Sequence, residues 1–438
     1  MPDSDRPQLE LLPDESSDEA KPSTESDEPG FDGLTESIHY DDLEEDESDI
    51  GPALSLPDPD EELSEESIVS GEELAVADGK AAAEAIEHGE AVLEPLHEEE
   101  PEGLVLPELP WLNAAPPLDR VKTEPRLSRL VGAALGGAIG DAVGHPTEFI
   151  SSFRGIRARY GERGVLGYEL YWNRGGRRFA PYTDDTQMAE VVFRSLLESQ
   201  RKHLGLDATM KTMAAGFVHW SSYPQGGHRA PGNACMAGCR ALARGVPWSE
   251  AGGPTAGGCG SVMRAYPFGL FFSEDLGKAE RWAVAHSKLT HRDPIALAAC
   301  AAMAVGTGRI LRGETLSRVL SEMVGAACRY SAKTAEMMAL AIHEAETGVD
   351  PEHTLQRLQA WAAHEAIAAA VYILARHPDD PRAAILEGAN TPGDSDSIAT
   401  LAGALVGART GVSALPTRWV AEVERSDVFV QLACNIAA

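Results

Sequence analysis

Between Leu127 and Ala142, apolar residues recur at three- and four-residue steps: Leu127, Leu130, Val131, Ala134, Leu135, Ala138, Ile139 and Ala142. That is the period of an amphipathic helix. Gly132, Gly136 and Gly140 fall on another face of the same helix, where the absence of side chains lets a second element approach the backbone closely. Helical punctuation continues along the chain. Asp293-Pro294 opens a helix that Gly313 closes, a long pattern over residues 353–376 stops before Pro378, and Gly411 ends a helix that begins after Asp396. Strand signal is confined to residues 165–171. The pattern predicts an all-α body, and no repeat of about 34 or 40 residues points to a solenoid.

Charge divides the chain unequally. Residues 1–125 hold 39 Asp/Glu against 5 Lys/Arg, which leaves 30 acidic and 32 basic residues for 126–438. The formal charge of −32 is therefore an extension near −34 attached to a body near +2. The extension is rich in Pro, Glu, Asp and Ser and poor in aromatics, so it is expected to be mostly disordered. Within it, residues 67–96 carry enough Ala, Leu, Val and Ile for one or two marginal helices. The apolar, proline-spaced run at 104–112 reads as an extended docking segment or as a solvated linker. Segment 67–112 is thus the one part of the extension expected to order. Such acidity argues against nucleic-acid binding and for a basic protein partner or a basic cleft.

The body of 313 residues is long enough for a substantial core. No run of 18 apolar residues is read from it, and MPDSDRPQ has neither a basic n-region nor an apolar h-region. A cytoplasmic chain with no membrane contact is expected. The cysteines, Cys235, Cys239, Cys259, Cys300, Cys328 and Cys434, show neither a C-x-x-C pair nor zinc spacing and read as reduced. Cys235 and Cys239, one helical turn apart, read as packing residues.

Two acidic clusters stand out against this helical background: Thr183-Asp184-Asp185-Thr186, and Gly393-Asp394-Ser395-Asp396-Ser397. Each leads into an apolar helical pattern, so each is an ordinary N-cap candidate. Two adjacent aspartates exceed what one cap needs, however, and carboxylates with hydroxyls in a tight turn make the oxygen shell that hard divalent cations require. The connecting loops carry further polar residues. The run 140–149 leaves its helix at a glycine and places Glu148 just beyond, 228–233 precedes a helix whose free amides suit an anion, 257–264 is a glycine-rich bend, and His291 stands at a helix start.

Taken in order, GAIGDAVGHPTEF, YTDDTQMAE, HRAPGNACMAGC, GGCGSVMRAYPFGL, HSKLTHRDP and NTPGDSDSIATLAGALVGA resemble the ADP-ribosylglycohydrolase family, the group containing the enzyme that reactivates ADP-ribosylated dinitrogenase reductase. The resemblance covers 126 to about 420 and none of the acidic extension. It implies an orthogonal helical bundle over 126–438 with two Mg²⁺ or Mn²⁺ ions in a central cleft. By match of motif, the metal ligands would be Thr183, Asp184, Asp185, Asp394, Asp396 and Ser397. Glu148 would be the general base, with Asp185 also counted as catalytic. Gly232, Gly258, Cys259, Gly260, Ser261, Met263 and His291 would contact the substrate's diphosphate and ribose, Cys259 standing where many relatives carry Asn.

The implied activity is release of ADP-ribose from a modified protein side chain, most often arginine in bacterial members. Some members also look like immunity proteins against ADP-ribosyltransferase toxins, with an extension that plugs the toxin. The acidic segment ahead of the body fits that layout, as it fits a solvating or autoinhibitory tail.

Overall fold

The computed structural model describes residues 109–436. The extension up to residue 108, including the predicted order over 67–108, lies outside the described residues. What is described is helical apart from one two-stranded hairpin. Six helices are labelled in chain order: α1 (Pro125–Gly144), α2 (Asp184–Lys202), α3 (Asn233–Ala243), α4 (Pro294–Leu311), α5 (Ala363–Arg376) and α6 (Ser395–Thr410).

The glycine stripe on α1 is where α6 packs. A Cβ on Gly132, Gly136 or Gly140 would run into the backbone carbonyl of Gly407, Gly403 or Ala399, and one on Gly144 would lie 2.6 Å from Asp396 Cα. Gly403 and Gly407 return the relationship against Gly136 and Gly132. Two backbones in direct apposition hold their registers tightly, because no rotamer can absorb a slip. One consequence is functional: the C-terminal end of α1 is pinned against the N-terminal end of α6.

Helix α4 opens at Pro294, with Asp293 Oδ1 accepting from Ile295 N at 3.0 Å, and the chain turns away at Gly313 with φ +75°. By length and mean hydropathy it could cross a membrane, although Thr307 and Arg309 break its apolar run, and 83% of it is buried inside the protein. Its neighbours include α5, α6 and the flanking helices Leu276–Ser287 and Leu316–Cys328, the surroundings of a core helix.

Three sequence expectations require correction. The strands lie at Trp172–Arg174 and Arg177–Phe179, not at 165–171, joined through Gly175 and Gly176, both at positive φ. A two-glycine loop of that kind is a hairpin turn. The apolar residues before it are anchors: Asn390 brackets the backbone of Val165, and Tyr168 donates its hydroxyl to Trp419 O at 3.0 Å. Secondly, the pattern over 353–376 is interrupted. A short helix, Pro351–Leu355, ends well before α5 begins, with Ala360 at φ +63° between them. The interruption serves the neighbouring loops: Gln359 O accepts from Asp394 N at 2.8 Å, and Ala363 N donates to Gly257 O at 2.8 Å. Thirdly, α6 begins at Ser395, so Asp396 lies inside its first turn.

The segment just before the body docks through a turn and not as the extended piece expected over 104–112, Leu112 N donating to Leu109 O at 2.9 Å. Trp111 and Leu112 pack against the core, Asn113 N donates to Asn435 Oδ1 at 3.0 Å, and Asn113 O accepts from Asn435 Nδ2 at 3.0 Å.

Candidate active site

Both acidic clusters are helix caps. Thr183 Oγ1 accepts from Asp185 N at 3.4 Å at the start of α2, and Asp394 Oδ1 accepts from Ser397 N at 3.4 Å at the start of α6. Capping leaves Asp184 and Asp185 unused, Asp396 Oδ1 shares the Ser397 N–H with Asp394 at 3.0 Å, and all three aspartates are buried. The two helix starts face each other, for Ser397 Oγ donates to Asp185 Oδ1 at 2.9 Å across 212 positions of sequence. They form a single site.

Glu148 is brought to the same place by the α1–α6 apposition. Beyond Gly144 the chain makes a 3₁₀ turn, His145–Thr147, whose Thr147 hydroxyl reaches Ala389 O and Ser395 Oγ. Phe149 N donates to Gly393 O at 3.0 Å and Gly393 N to Ile150 O at 2.9 Å. These two backbone bonds hold Phe149 at φ +67°, a region costly for a residue with a side chain. Between them and the helix end, Glu148 has little freedom. Its Oε2 lies 3.1 Å from His145 Nδ1, and ligand atoms of His145, Glu148 and Asp396 lie within 4.8 Å of one another.

These residues open on a cavity of about 620 Å³, within the range of small-molecule sites. Its lining includes Glu148, Asp184, Asp185, Asp394 and Ser397, and of the predicted substrate contacts Gly232, Gly258, Cys259, Gly260, Met263 and His291. Three predicted residues stand behind the wall. Thr183 is fully buried at its cap, Asp396 faces His145 and Glu148, and the Ser261 hydroxyl is engaged with Ser287 Oγ at 2.9 Å and Cys300 Sγ at 3.4 Å. A second cavity of about 490 Å³, between 115–122 and 412–430, has Asp427 as its single acidic lining residue.

Crowding governs the electrostatics. Burial first, and then the Asp396 charge, pushes Asp184, Asp185, Asp394 and Glu148 well above the usual carboxylate range. The same two causes raise Asp141 to about 7. So many buried carboxylates cannot all ionise without a compensating positive charge. The donors are hard oxygens joined by one imidazole, a set that fits divalent cations such as Mg²⁺ or Mn²⁺.

Asp141, Trp361 and the stacking of Phe149 were not singled out from sequence, whereas Cys259 was. Asp141, one helical turn before His145, accepts from Thr183 N (2.8 Å), Thr186 N (3.0 Å) and Thr186 Oγ1 (2.6 Å), locking α1 to the start of α2. As the single carboxylate of α1 it looks, in sequence, like any solvated helix position. Phe149 and Trp361 stack in the cavity wall, with centroids 5.8 Å apart and planes at 25°. Cys259 Sγ lies 2.6 Å from Asp394 Oδ2, where it donates to the carboxylate, and burial pushes its thiol well up. In the loop at 228–233, Arg229 does not face the cavity: it forms a buried pair with Glu424 at 2.6 Å and donates to Tyr182 O. The neighbouring Ala230, Pro231, Gly232 and Asn233 do line the cavity.

With the geometry established, the relatives become informative. The profile of the ADP-ribosylglycohydrolase family matches residues 122–438, more than half the chain. The chain belongs to the ADP-ribosylglycohydrolase family. Among its relatives is the ADP-ribosylarginine hydrolase Tri1 of Pseudomonas putida (strain GB-1), 29% identical over 324 residues, covering 71% of this chain and 78% of the relative. The ADP-ribosyl-[dinitrogen reductase] glycohydrolase of Rhodospirillum rubrum is 27% identical over 309 residues, 68% of this chain and 90% of that one. A solved structure described as an ADP-ribosylglycohydrolase-related protein complex superposes with a TM-score of 0.53 at 25% identity, over 71% of this chain and 97% of that chain.

Proposed function

We propose that this ADP-ribosylglycohydrolase family member is a metal-dependent hydrolase that releases ADP-ribose from modified protein side chains, with arginine as the linkage. The observation that carries the reading is the Ser397–Asp185 bond, which makes one oxygen-rich site of two helix starts at the floor of a ligand-sized cavity. The arginine assignment rests on the two named relatives, one an ADP-ribosylarginine hydrolase and the other acting on an ADP-ribosylated protein.

Asp184, Asp185, Asp394, Asp396 and Ser397 would hold two Mg²⁺ or Mn²⁺ ions, with Thr183 contributing beside its cap. Bound there, the ions supply Lewis-acid polarisation and a template for vicinal hydroxyls. The remaining work falls to the chain. Glu148, with its loop pinned by the Phe149–Gly393 and Gly393–Ile150 bonds and its side chain on the cavity wall, is placed to take a proton from water in its ionised form. Gly258 and Gly260 allow the backbone to approach a diphosphate, with Cys259, Met263 and Gly232 beside them, and His291 reaches the same wall. Fixing the remote end of ADP-ribose holds the glycosidic carbon over the carboxylates, which is where positioning gains most.

The test is release of ADP-ribose from an ADP-ribosylarginine protein in the presence of Mn²⁺. The double variant Asp184→Ala, Asp185→Ala should lose it, and undiminished release would overturn the reading. The alternative in which the extension blocks a transferase toxin concerns residues outside those described. Its test is a chain starting near Pro125, which should lose inhibition of such a transferase while keeping hydrolysis.

A further inference from the structure

Arg264 is completely buried behind the cavity wall. A guanidinium has five donors and no acceptor, so every polar partner must accept from it. Its Nε donates to His286 Nε2 at 3.0 Å and its Nη2 to Thr290 Oγ1 at 2.7 Å. Nη1 meets Met188 Sδ and Cys235 Sγ, and the guanidinium carbon lies 4.4 Å from the Phe217 ring centroid. None of these partners is a carboxylate. The cation is free to impose its donor-only character on its neighbours.

The consequences run outward by proton counting. His286 Nε2 accepts and is therefore bare, which places its proton on Nδ1, 3.1 Å from Ala283 O. Thr290 Oγ1 has one lone pair taken by Arg264 and lies 2.7 Å from His291 Nδ1. If Nδ1 carried the proton, the buried Thr290 hydroxyl would accept twice and its own hydrogen would have no acceptor among its bonds. The nearby cation also favours a lone pair, not an N–H, on the side facing it. With Thr290 donating to Nδ1, both partners are satisfied, and the neutral ring must be protonated at Nε2. That nitrogen is on the cavity side: a Cβ on Gly258 would lie 3.6 Å from it and one on Gly260 3.4 Å, so these glycines keep it uncovered. Burial, then the Arg264 charge, holds the ring neutral by pushing its pKa down to about 3.

We propose that Arg264 is a positioning residue, acting through the Thr290 hydroxyl to fix His291 as its Nε2–H tautomer, so that the cavity wall presents a permanent hydrogen-bond donor to an oxygen of the bound ligand. The ligand half rests on the ADP-ribose reading; the tautomer half does not. The two histidines flanking Arg264 thereby hold opposite tautomers, His286 turned to backbone and His291 to ligand.

The experiment is ¹⁵N spectroscopy of the imidazoles in the full chain, with the His291 signals assigned by their loss in His291→Gln. The expected result is a protonated Nε2 and a bare Nδ1 across about pH 5 to 8, where an ordinary histidine titrates. Thr290→Val should mix the tautomers and raise KM for the ADP-ribosylated substrate about tenfold with kcat little changed, the pattern of lost ground-state binding, and Thr290→Ser should restore both. Free ADP-ribose should shift the Nε2–H resonance. A shift reproduced by inorganic pyrophosphate places the acceptor on the diphosphate and one reproduced by ribose places it on the sugar, and either supports the donor assignment. A protonated Nδ1 in the unmodified chain overturns the proposal whether or not the variants fold, as does a Thr290→Val chain with an unchanged tautomer and KM. Failure of ADP-ribose to bind while the tautomer is as stated would instead overturn the substrate reading.

Discussion

Asp185 accepts from Ser397 in a cluster where burial and neighbouring charge push Asp184, Asp185, Asp394 and Glu148 up. Each ionised oxygen there costs stability until a cation is bound, so function and stability are opposed at this position. Asp185→Asn should therefore raise the melting temperature of the metal-free protein, by about 2–4 °C for each kcal/mol of repulsion relieved. The same variant should lose most of the melting shift caused by Mn²⁺ and at least about a hundredfold in kcat, comparable to removing a key electrostatic contact. Calorimetry with and without metal checks the first two, and a lower metal-free melting temperature would show that Asp185 is mainly structural. These aspartates were legible in the sequence because they are redundant as caps. Asp141 was not: a single aspartate within a helical pattern reads as a solvated face, and only the packing of α1 against α2 shows it fully buried and accepting three bonds.

At the scale of elements, the site depends on how α1 lies against α6. A methyl at Gly132 or Gly144 meets backbone in either case, so Gly132→Ala and Gly144→Ala should each destabilise by about 1–3 kcal/mol, the usual cost of overpacking. Their effects on turnover should differ. Gly144 touches Asp396 and Ser395 and leads into Glu148, where a displacement near 1 Å costs on the order of a hundredfold in rate. Gly132 lies three helical turns away, against Gly407 and Gly411, and its variant should keep kcat within a few-fold at a temperature where it is folded. Equal losses of kcat would mean that the apposition does not transmit position. The stripe itself was visible in the sequence, since glycine at four-residue spacing has few other uses on a helix. The break before α5 was hidden, because its cause is tertiary: Gln359 leaves a good helical pattern to bond Asp394, and Ala363, restarting the helix, bonds Gly257. The hairpin escaped because its strands are three residues each, too short for alternation to register, while Gly175-Gly176 was its true signal.

For the whole molecule, the crowded carboxylates link metal, protons and folding. Asp141 illustrates the sign. Its carboxyl is near 3.8 when unfolded and about 7 in the metal-free fold, so between those values the folded chain binds the extra proton. Stability from this group is therefore present at acid pH and is lost as pH rises through about 4 to 7, the reverse of a salt-bridged aspartate. Asp184, Asp185, Asp394 and Glu148 around it shift in the same direction. A divalent cation favours the ionised forms and must displace those protons, so binding should release protons and tighten as pH rises. Saturating Mg²⁺ at about one hundred times its Kd stabilises a fold by about 2.7 kcal/mol. The melting shift it produces should accordingly be several degrees at pH 8 and should shrink towards zero near pH 5, while the metal-free protein loses stability from this cluster over the same rise. Buried His291 contributes with the opposite sign, since a pKa pushed down to about 3 costs stability as pH falls below about 6.5. The metal-dependent difference cancels that background, because His291 is protonated in neither the free nor the loaded fold over this range. A Mg²⁺-induced shift that is constant from pH 5 to 8 would mean that the carboxylates are already ionised without metal, and that Arg264 or another cation neutralises the cluster instead.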